Sequence, residues 1–228
     1  ENFQQLMLIN TAGGITSGDE FYSRIDLENS NICVSTQAGE KIYSGFGDPA
    51  LVDININISD QWNLFWLPKE LILFNNCNLK RKFNINLSKD SNLLLCESIV
   101  FGRTSMKEKL NSGFFSDLWK IYYDKKLIHT EALNTGGFNK EFLKSRSILN
   151  NNCAIATIIL VGNKFLDVAD ELSKFMTKNN YTTSEYSTWD EKMIIRCISK
   201  DSYNLKFAIN KILSYFFENS QIPKIWNI

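Results

Sequence analysis

Hydrophobic and polar residues alternate along several short segments of the chain, and this alternation predicts β-strands. Between positions 52 and 58, apolar residues occupy the even positions and polar residues the odd ones, which predicts Ala50–Ile58 as a strand with one buried face. Segments of similar character predict further strands at Leu6–Asn10, Phe21–Leu27, Asn31–Gln37, Leu71–Phe74, Lys82–Leu87, Leu93–Cys96, Ser98–Phe101, Leu118–Tyr123 and Lys126–Thr130. Many short strands separated by turn residues, such as Asp124-Lys125, are typical of a sandwich, a barrel or a solenoid of stacked sheets.

The pattern changes after the polar run at residues 150–152. A continuous apolar segment there predicts a fully buried strand, and two later segments carry apolar residues at helical spacing. Asp201 or Ser202 can cap the second helix. The predicted order is strand, helix, two hairpin strands and helix, at Ala154–Val161, Phe165–Lys178, Thr183–Trp189, Lys192–Ser199 and Tyr203–Glu218. We therefore predict a mainly β fold, with a β-rich part at residues 1–150 and a β-α-β-β-α portion at residues 151–228 packed on it.

Composition narrows the classes of function. Of the 228 residues, 44% are hydrophobic, which is enough to bury a sizeable core. The chain carries 25 Lys and Arg against 25 Asp and Glu, and this balance argues against a nucleic-acid binder and against a polybasic membrane anchor. No apolar run approaches the roughly 20 residues that span a bilayer, so we expect a soluble protein.

The five cysteines are odd in number and form no C-x-x-C pair, and His129 is the single histidine. A disulfide framework or a structural zinc site would need paired ligands. We therefore expect buried, reduced thiols in a cytoplasmic protein. The chain begins without Met and lacks the regions of a signal peptide, so we expect that upstream residues are missing.

Gly13, Gly14 and Gly18 cluster in the segment Asn10–Asp19. Glycines at the exit of a strand permit positive φ and close backbone approach. The spacing matches neither of the phosphate-binding patterns G-x-x-x-x-G-K-[ST] and G-x-G-x-x-G, and Asp19 follows the last glycine. We therefore expect a structural turn that positions Asp19.

Two glutamates lie within apolar surroundings. Glu70 stands between Pro68 and a strongly apolar strand, so its carboxylate is expected to be partly buried and to need a partner. Glu97 divides another apolar segment, shortly before Gly102 and Arg103. A structural ion pair between an inward-facing Glu97 and the nearby Arg103 is an alternative to a functional role.

Four segments together resemble the UreD (UreH) family of urease accessory proteins. The family patterns N-x-x-G-G-I-x-G-G-D, T-Q-A-x-x-K-I-Y, W-L-P-x-E-x-I-L-F and E-x-x-x-x-G-R-x-x-x-x-E correspond, in that order, to Asn10–Asp19, Thr36–Tyr43, Trp66–Phe74 and Glu97–Glu108. Ser17 replaces one family glycine, and Lys224 replaces Arg in the closing P-R-x-W. The family's N-terminal strand region, ahead of the glycine segment, is absent here. The motif residues expected to have structural or interface roles are Gly13, Gly14, Gly18, Lys41, Tyr43, Pro68, Gly102, Arg103, Glu108 and Trp226.

The resemblance implies a scaffold rather than an enzyme, with a β-rich stack of sheets and a pair of helices. Such a protein would bind apo-urease, recruit UreF and, through UreF, the GTPase UreG. It would hold no tightly bound cofactor, while Ni²⁺ would pass transiently through an internal polar tunnel. Carboxylates and hydroxyls are weaker ligands for this metal than imidazole or thiolate, which suits transit. The residues expected to line the path are Asp19, Thr36, Gln37, Glu70 and Glu97.

Other interpretations remain open. A carbohydrate-active β-protein would use Glu70 and Glu97 as acid and base, with aromatic platforms for sugar rings at Trp62, Trp66 and Trp119. The two predicted helices are expected to cover the core, with a docking face for UreF as the alternative. The closing segment Ile222–Ile228, with Trp226, is a candidate partner contact because aromatic residues are enriched at interfaces.

Overall fold

Two β-sheets packed face to face, with helices against the larger sheet, make up the described part of the chain. The structure is a computed structural model, and it describes residues 3–59, 61–103, 108, 110–136, 143–165, 169–176, 178, 180, 182–217 and 222–227. A nine-stranded sheet faces a five-stranded one. This architecture confirms the predicted β-rich stack of sheets with helices near the C-terminus.

The described residues form fourteen strands. In chain order they are β1 (Gln4–Leu8), β2 (Glu20–Leu27), β3 (Ile32–Thr36), β4 (Glu40–Ile42), β5 (Ala50–Ile58), β6 (Asn63–Trp66), β7 (Leu71–Leu73), β8 (Cys77–Leu87), β9 (Asn92–Phe101), β10 (Gly113–Tyr123), β11 (Lys126–Asn134), β12 (Ala154–Val161), β13 (Thr182–Trp189) and β14 (Lys192–Ser199). The α-helices are α1 (Ala169–Leu172), α2 (Ser202–Phe216) and α3 (Lys224–Asn227).

The chain passes alternately through the two sheets, which stacks successive strands in parallel. The smaller sheet has the order β11-β10-β8-β5-β2, and the main path of the larger is β1-β3-β6-β9-β12-β14-β13. The pairs β2/β5, β5/β8 and β8/β10 are parallel, as are β1/β3, β3/β6 and β6/β9. The β12, β13 and β14 strands extend the larger sheet in antiparallel fashion. The first two-thirds of the chain is thus solenoid-like.

Alternating side chains build the core. In β8 the odd-numbered residues point between the sheets and are buried, whereas Lys80, Lys82 and Asn86 face outward. Two apolar clusters lie between the sheets, and a third lies between the larger sheet and the helices. Helix α2 contributes Leu205, Ala208, Ile209, Ile212 and Leu213 to this third cluster, which confirms its predicted role as core cover.

The helix predicted over Phe165–Lys178 is wrong in its extent. The described residues form a 3₁₀ turn at Asn163–Phe165, the single turn α1 and a second 3₁₀ turn at Ser173–Phe175, and Met176 is already extended with ψ 143°. Positions 166–168 and 177 lie outside the described residues. By contrast α2 begins as predicted, because the Asp201 side chain accepts a hydrogen bond from the Asn204 backbone N–H at 2.7 Å. Within the described residues, no helix has the length and apolar character needed to cross a bilayer.

Candidate functional site

A buried triad of charged side chains joins the two sheets. Arg81 in β8 donates to both carboxylate oxygens of Asp117 in β10, at 2.9 and 2.7 Å. Its third nitrogen donates to Glu97 in β9 of the opposite sheet, at 2.8 Å. The three side chains are at most 7% exposed. Trp66 Nε1 donates to the other oxygen of Glu97 at 2.8 Å, so Glu97 is held from two directions.

The triad separates the two apolar clusters between the sheets. On each of β8, β9 and β10 a charged residue stands between two apolar neighbours on the same strand face, as in Leu79-Arg81-Phe83, Leu95-Glu97-Ile99 and Phe115-Asp117-Trp119. Moving a charged group out of water costs on the order of several kcal/mol, and replacing such groups with apolar ones is often neutral or stabilising. Stability alone is therefore a poor explanation for three charges at this place.

Polar side chains continue from the triad across the sandwich. Thr157 in β12 is the register partner of Glu97, and Arg196 in β14 is the register partner of Thr157. Arg196 donates to the Thr157 hydroxyl at 2.6 Å and binds Glu131 of β11 in the opposite sheet. His129 Nε2 lies 3.4 Å from a Glu131 carboxylate oxygen. We call these seven side chains, from Arg81, Glu97 and Asp117 through Thr157 to Arg196, Glu131 and His129, the polar layer.

Neighbouring charges stabilise the charged forms of Arg81 and Glu131 within the polar layer. Burial opposes the charged form of Arg81, but Asp117 and Glu97 outweigh it, so the pKa of Arg81 is raised. Burial also opposes the charged form of Glu131. Its contacts with His129 and Arg196 outweigh burial and lower the pKa of Glu131 to about 2.

A cavity of about 450 Å³ opens at the triad end of the polar layer, and we call it the polar cavity. Three of the five residues predicted to line a metal path, Thr36, Gln37 and Glu97, line it together with Arg81. Its wall also includes Gly13, Lys41 and Pro68 from the motif segments, and apolar residues such as Val52, Ile54 and Leu79. The structure thus brings parts of four separate motif segments to one place.

The larger sheet is interrupted beside Glu97. Pairing of β6 with β9 ends at Leu95, and pairing of β7 with β9 resumes at Ile99. Pro68 lies in the intervening segment, lacks a backbone N–H and favours extended geometry for the residue before it. The backbone N–H of the next residue, Lys69, bonds instead to the Thr36 hydroxyl at 2.9 Å. The interruption places the motif segments that contain Thr36 and Pro68 at the rim of the polar cavity.

A second depression of about 230 Å³ lies on the helix-covered face of the same interruption, and we call it the outer groove. It is lined by Lys69, Glu70 and Ser98, and by residues of α2 and α3 that include Lys206 and Trp226. Among the described residues, Lys69 alone lines both the polar cavity and the outer groove. Glu70 therefore lies outside the polar cavity, on its helix side.

Asp19 also lies outside the polar cavity, where it closes the glycine turn. Its carboxylate accepts from the Thr16 backbone N–H at 2.8 Å, and its own N–H donates to the Thr16 carbonyl at 3.1 Å. Gly14 lies so close to the Tyr43 ring that a Cβ would come within 2.4 Å of it. Phe74 packs edge-on against Tyr43. These contacts hold the glycine turn in place and pack it against Tyr43. A metal-lining role for Asp19 stays a prediction.

The arginine partner expected for Glu97 was wrong. Glu97 pairs with Arg81, whereas Arg103 forms an ion pair with Glu108 and lies over the Phe74 ring, 4.4 Å from its centroid. Glu108 also accepts from the Asn75 backbone N–H at 2.9 Å. The Arg103–Glu108 pair thus holds the turn after β7. Gly102, with φ 88°, ends β9 ahead of this pair.

The proposed sugar platforms are wrong at two of three positions. Trp66 and Trp119 are only 2% and 3% exposed, and both belong to the core between the sheets. Trp226 is also buried, and its Nε1 donates to Asn210 of α2 at 2.6 Å. Its side chain therefore packs within the fold, and a partner contact by the closing segment stays a prediction.

All five cysteines are free, as expected, and burial raises the pKa of each thiol, to about 12 for Cys33. They are poor metal ligands because the thiolate is the binding form. In the described part of the chain, no group of three or more His, Cys, Asp or Glu side chains is arranged to hold a metal ion.

Sequence reasoning missed Arg81, Asp117 and Lys69. Arg81 and Asp117 occupy inward-facing positions of strands that begin at Cys77 and Gly113, five residues before the predicted starts at Lys82 and Leu118. Each missed residue therefore lay just ahead of its predicted strand. One pattern in the sequence could have indicated the direction of Arg81. Leu79, Phe83 and Ile85 are apolar and, like Arg81, occupy odd-numbered positions, and alternate residues of a strand point to the same face.

Comparison with known proteins shows the family to which the chain is similar. The family described as UreD urease accessory protein matches residues 1–227. A urease accessory protein UreD from Rhizobium leguminosarum bv. viciae is 32% identical over 225 residues, which cover 98% of this chain and 81% of that protein. The urease accessory protein UreD of Agrobacterium fabrum is 28% identical over 228 residues, covering 100% of this chain and 79% of that protein. On this near-complete match, the chain belongs to the UreD family of urease accessory proteins.

Proposed function

We propose that this chain is a non-catalytic scaffold in the cytoplasm that binds apo-urease, recruits UreF and, through it, UreG, and lets nickel pass through the polar cavity. Membership of the UreD family assigns the chain to urease maturation. The finer steps are inferred from the geometry of the polar cavity and from the exposed surface.

The observation that carries the nickel path is the charge balance of the triad. Two buried carboxylates, Glu97 and Asp117, share the single guanidinium of Arg81, so the triad taken by itself has one formal negative charge more than positive charge, beside the polar cavity. A buried negative charge attracts a cation strongly. Because Arg81 already occupies both carboxylates, a passing Ni²⁺ would have to compete for them and would be held weakly.

The remaining ligands also suit transit. Thr36 and Gln37 offer hydroxyl and amide oxygens at the cavity wall, and carboxylate, hydroxyl and amide oxygens bind Ni²⁺ less tightly than imidazole or thiolate. Glu70, on the helix side of the interruption, would take the cation after it leaves the cavity. A series of weak binding sites of this kind allows a cation to move from one site to the next.

An aromatic pair on α2 supports partner docking. Tyr203 and Phe207 are 79% and 63% exposed and, one helical turn apart, share a face. Exposed aromatic residues are enriched at protein interfaces. We assign this face to UreF.

Glu97→Gln tests the path. The substitution keeps the size of the side chain and removes the excess negative charge, so the nickel content of urease matured in cells with all accessory proteins should fall severalfold. Urease and UreF should still copurify with the variant. Asp26→Asn, which removes an exposed carboxylate of β2, is the matched control and should behave as wild type. Normal nickel content in the Glu97→Gln variant would show that the cation does not use the triad.

A further inference from the structure

Lys69 is an unusual cation to find at the interruption of the sheet. The residue is 7% exposed, although lysine is almost never fully buried without a partner. Its ammonium donates to the Trp226 carbonyl and lies 5.2 Å from the centroid of the Trp226 ring. Both contacts are with α3, so the C-terminal segment holds the ammonium in place.

Charged groups of both signs lie near the Lys69 ammonium. Burial and the nearby Lys206 ammonium lower the pKa of Lys69, while the Glu70 carboxylate opposes them. All three residues line the outer groove. The outer groove thus places a second ammonium, that of Lys206, near Lys69 at the helix-side mouth of the interruption.

We propose that Lys69, held by Trp226, is a positively charged barrier between the polar cavity and the outer groove, and that it limits the passage of a divalent cation between Glu97 and Glu70. This proposal rests on the nickel path proposed above. Its geometric basis is that Lys69 is the one described residue that lines both spaces.

Charge, rather than size, is the physical basis of the barrier. A divalent cation that passes an ammonium in a partly desolvated site is repelled over several ångströms, because the low effective dielectric strengthens the interaction. The stem of a lysine is flexible, so the ammonium can be displaced if α3 moves. Passage would then be coupled to whatever contacts α3 makes during assembly.

The test compares charge at position 69 with charge elsewhere in the same groove. Lys69→Met removes the charge at similar length, Lys69→Arg keeps it, and Lys206→Met removes a charge that does not border the polar cavity. Each full-length variant is produced with apo-urease and the other accessory proteins at limiting Ni²⁺, and the initial rate of nickel incorporation into urease is measured. We expect a severalfold faster rate for Lys69→Met and wild-type rates for Lys69→Arg and Lys206→Met.

The remaining outcomes distinguish a failure of the barrier from a failure of the nickel path. If Lys69→Met matches wild type while Glu97→Gln is slow, the path stands and the barrier is refuted. If Glu97→Gln also matches wild type, both proposals fall. A slower Lys69→Met variant contradicts the barrier as well. In that case thermal unfolding of the purified chain distinguishes a merely structural lysine, since loss of its contacts with Trp226 would lower the melting temperature.

Discussion

The Ser17 hydroxyl is buried against Gly45 and has no hydrogen-bond partner within the described part of the chain. The two segments approach so closely that a Cβ on Gly45 would come within 2.1 Å of that hydroxyl oxygen. Ser17 is also the position at which this chain departs from the glycine of the family pattern. A buried, unpaired hydroxyl costs about 1–3 kcal/mol.

Ser17→Ala should therefore stabilise the protein by about 1 kcal/mol, since it removes the unpaired group and keeps the Cβ. Urea unfolding of the purified chain measures this as a higher midpoint at unchanged slope. A lower midpoint would mean that the hydroxyl makes a hydrogen bond in solution.

At the residue scale, the sequence identified Glu97 but not its partners. A glutamate inside a long apolar segment stands out against its surroundings, and its burial could be predicted. Arg81 and Asp117 lie in strands with many charged residues on their outer faces, so their inward direction depends on the exact register. Register is a tertiary property, and local patterns define it poorly.

An ion pair joins two strands that belong to different sheets and are distant in sequence. Arg196 of β14 and Glu131 of β11 connect the two sheets, and His129 lies beside them. Glu131 has a pKa of about 2 in the folded protein against about 4.5 for an unperturbed glutamate. A lowered pKa means that the stabilisation is present above about pH 4.5 and is lost as the pH falls toward 2.

Glu131→Gln should consequently remove a pH-dependent part of the stability, on the order of 2–3 kcal/mol. The free energy of unfolding of the wild type should fall steeply between about pH 4.5 and pH 2, and the variant should be less stable at neutral pH with a flatter profile. Glu185→Gln, an exposed carboxylate of β13, is the control and should follow the wild type. Parallel profiles for Glu131→Gln and wild type would contradict the assigned pKa.

At the element scale, periodicity predicted most of the strands and failed where tertiary contacts override it. The predicted bounds of β5, β12 and β14 agree with the structure. The strand β9 is continuous, although Glu97 divides its apolar residues, because Arg81 and Trp66 both donate hydrogen bonds to that carboxylate. The short strands β4 and β6 were not predicted, because they are too brief to show a periodic pattern. They form because β4 pairs with β7 and β6 pairs with β9.

Asparagine side chains reinforce the parallel stacking. Asn84 donates to Asn55, and Asn86 donates to Asn57, each the register partner in the neighbouring strand, at 3.1 and 2.8 Å. On the other sheet Asn92 donates to Asn63 at 2.8 Å. Because the strands are in register, each amide lies beside the amide of the neighbouring strand and can bond to it. The abundance of asparagine on these strands thus has a structural use that its frequency in the sequence did not reveal.

At the scale of the whole molecule, the described residues combine two packed sheets with a polar cavity between them. Apolar clusters on both sides of the polar layer keep the two sheets together, while the interruption at Pro68 opens the larger sheet toward the helices. The sequence predicted the β-rich stack and three of the residues that meet in the polar cavity. The residue pattern did not predict the interruption beside the cavity, because it arises where β6 and β7 pair with β9 in different registers.

Filling the polar cavity without changing its charge tests the central claim most directly. Val52 lines the cavity, and its neighbour Leu51 lies on the opposite face of β5. Val52→Phe should therefore block the passage, whereas Leu51→Phe adds a larger side chain to the same strand outside it. The nickel content of urease matured with each variant is to be measured, together with copurification of urease. The account predicts low nickel with an intact complex for Val52→Phe and normal nickel for Leu51→Phe, and normal nickel with Val52→Phe would contradict it.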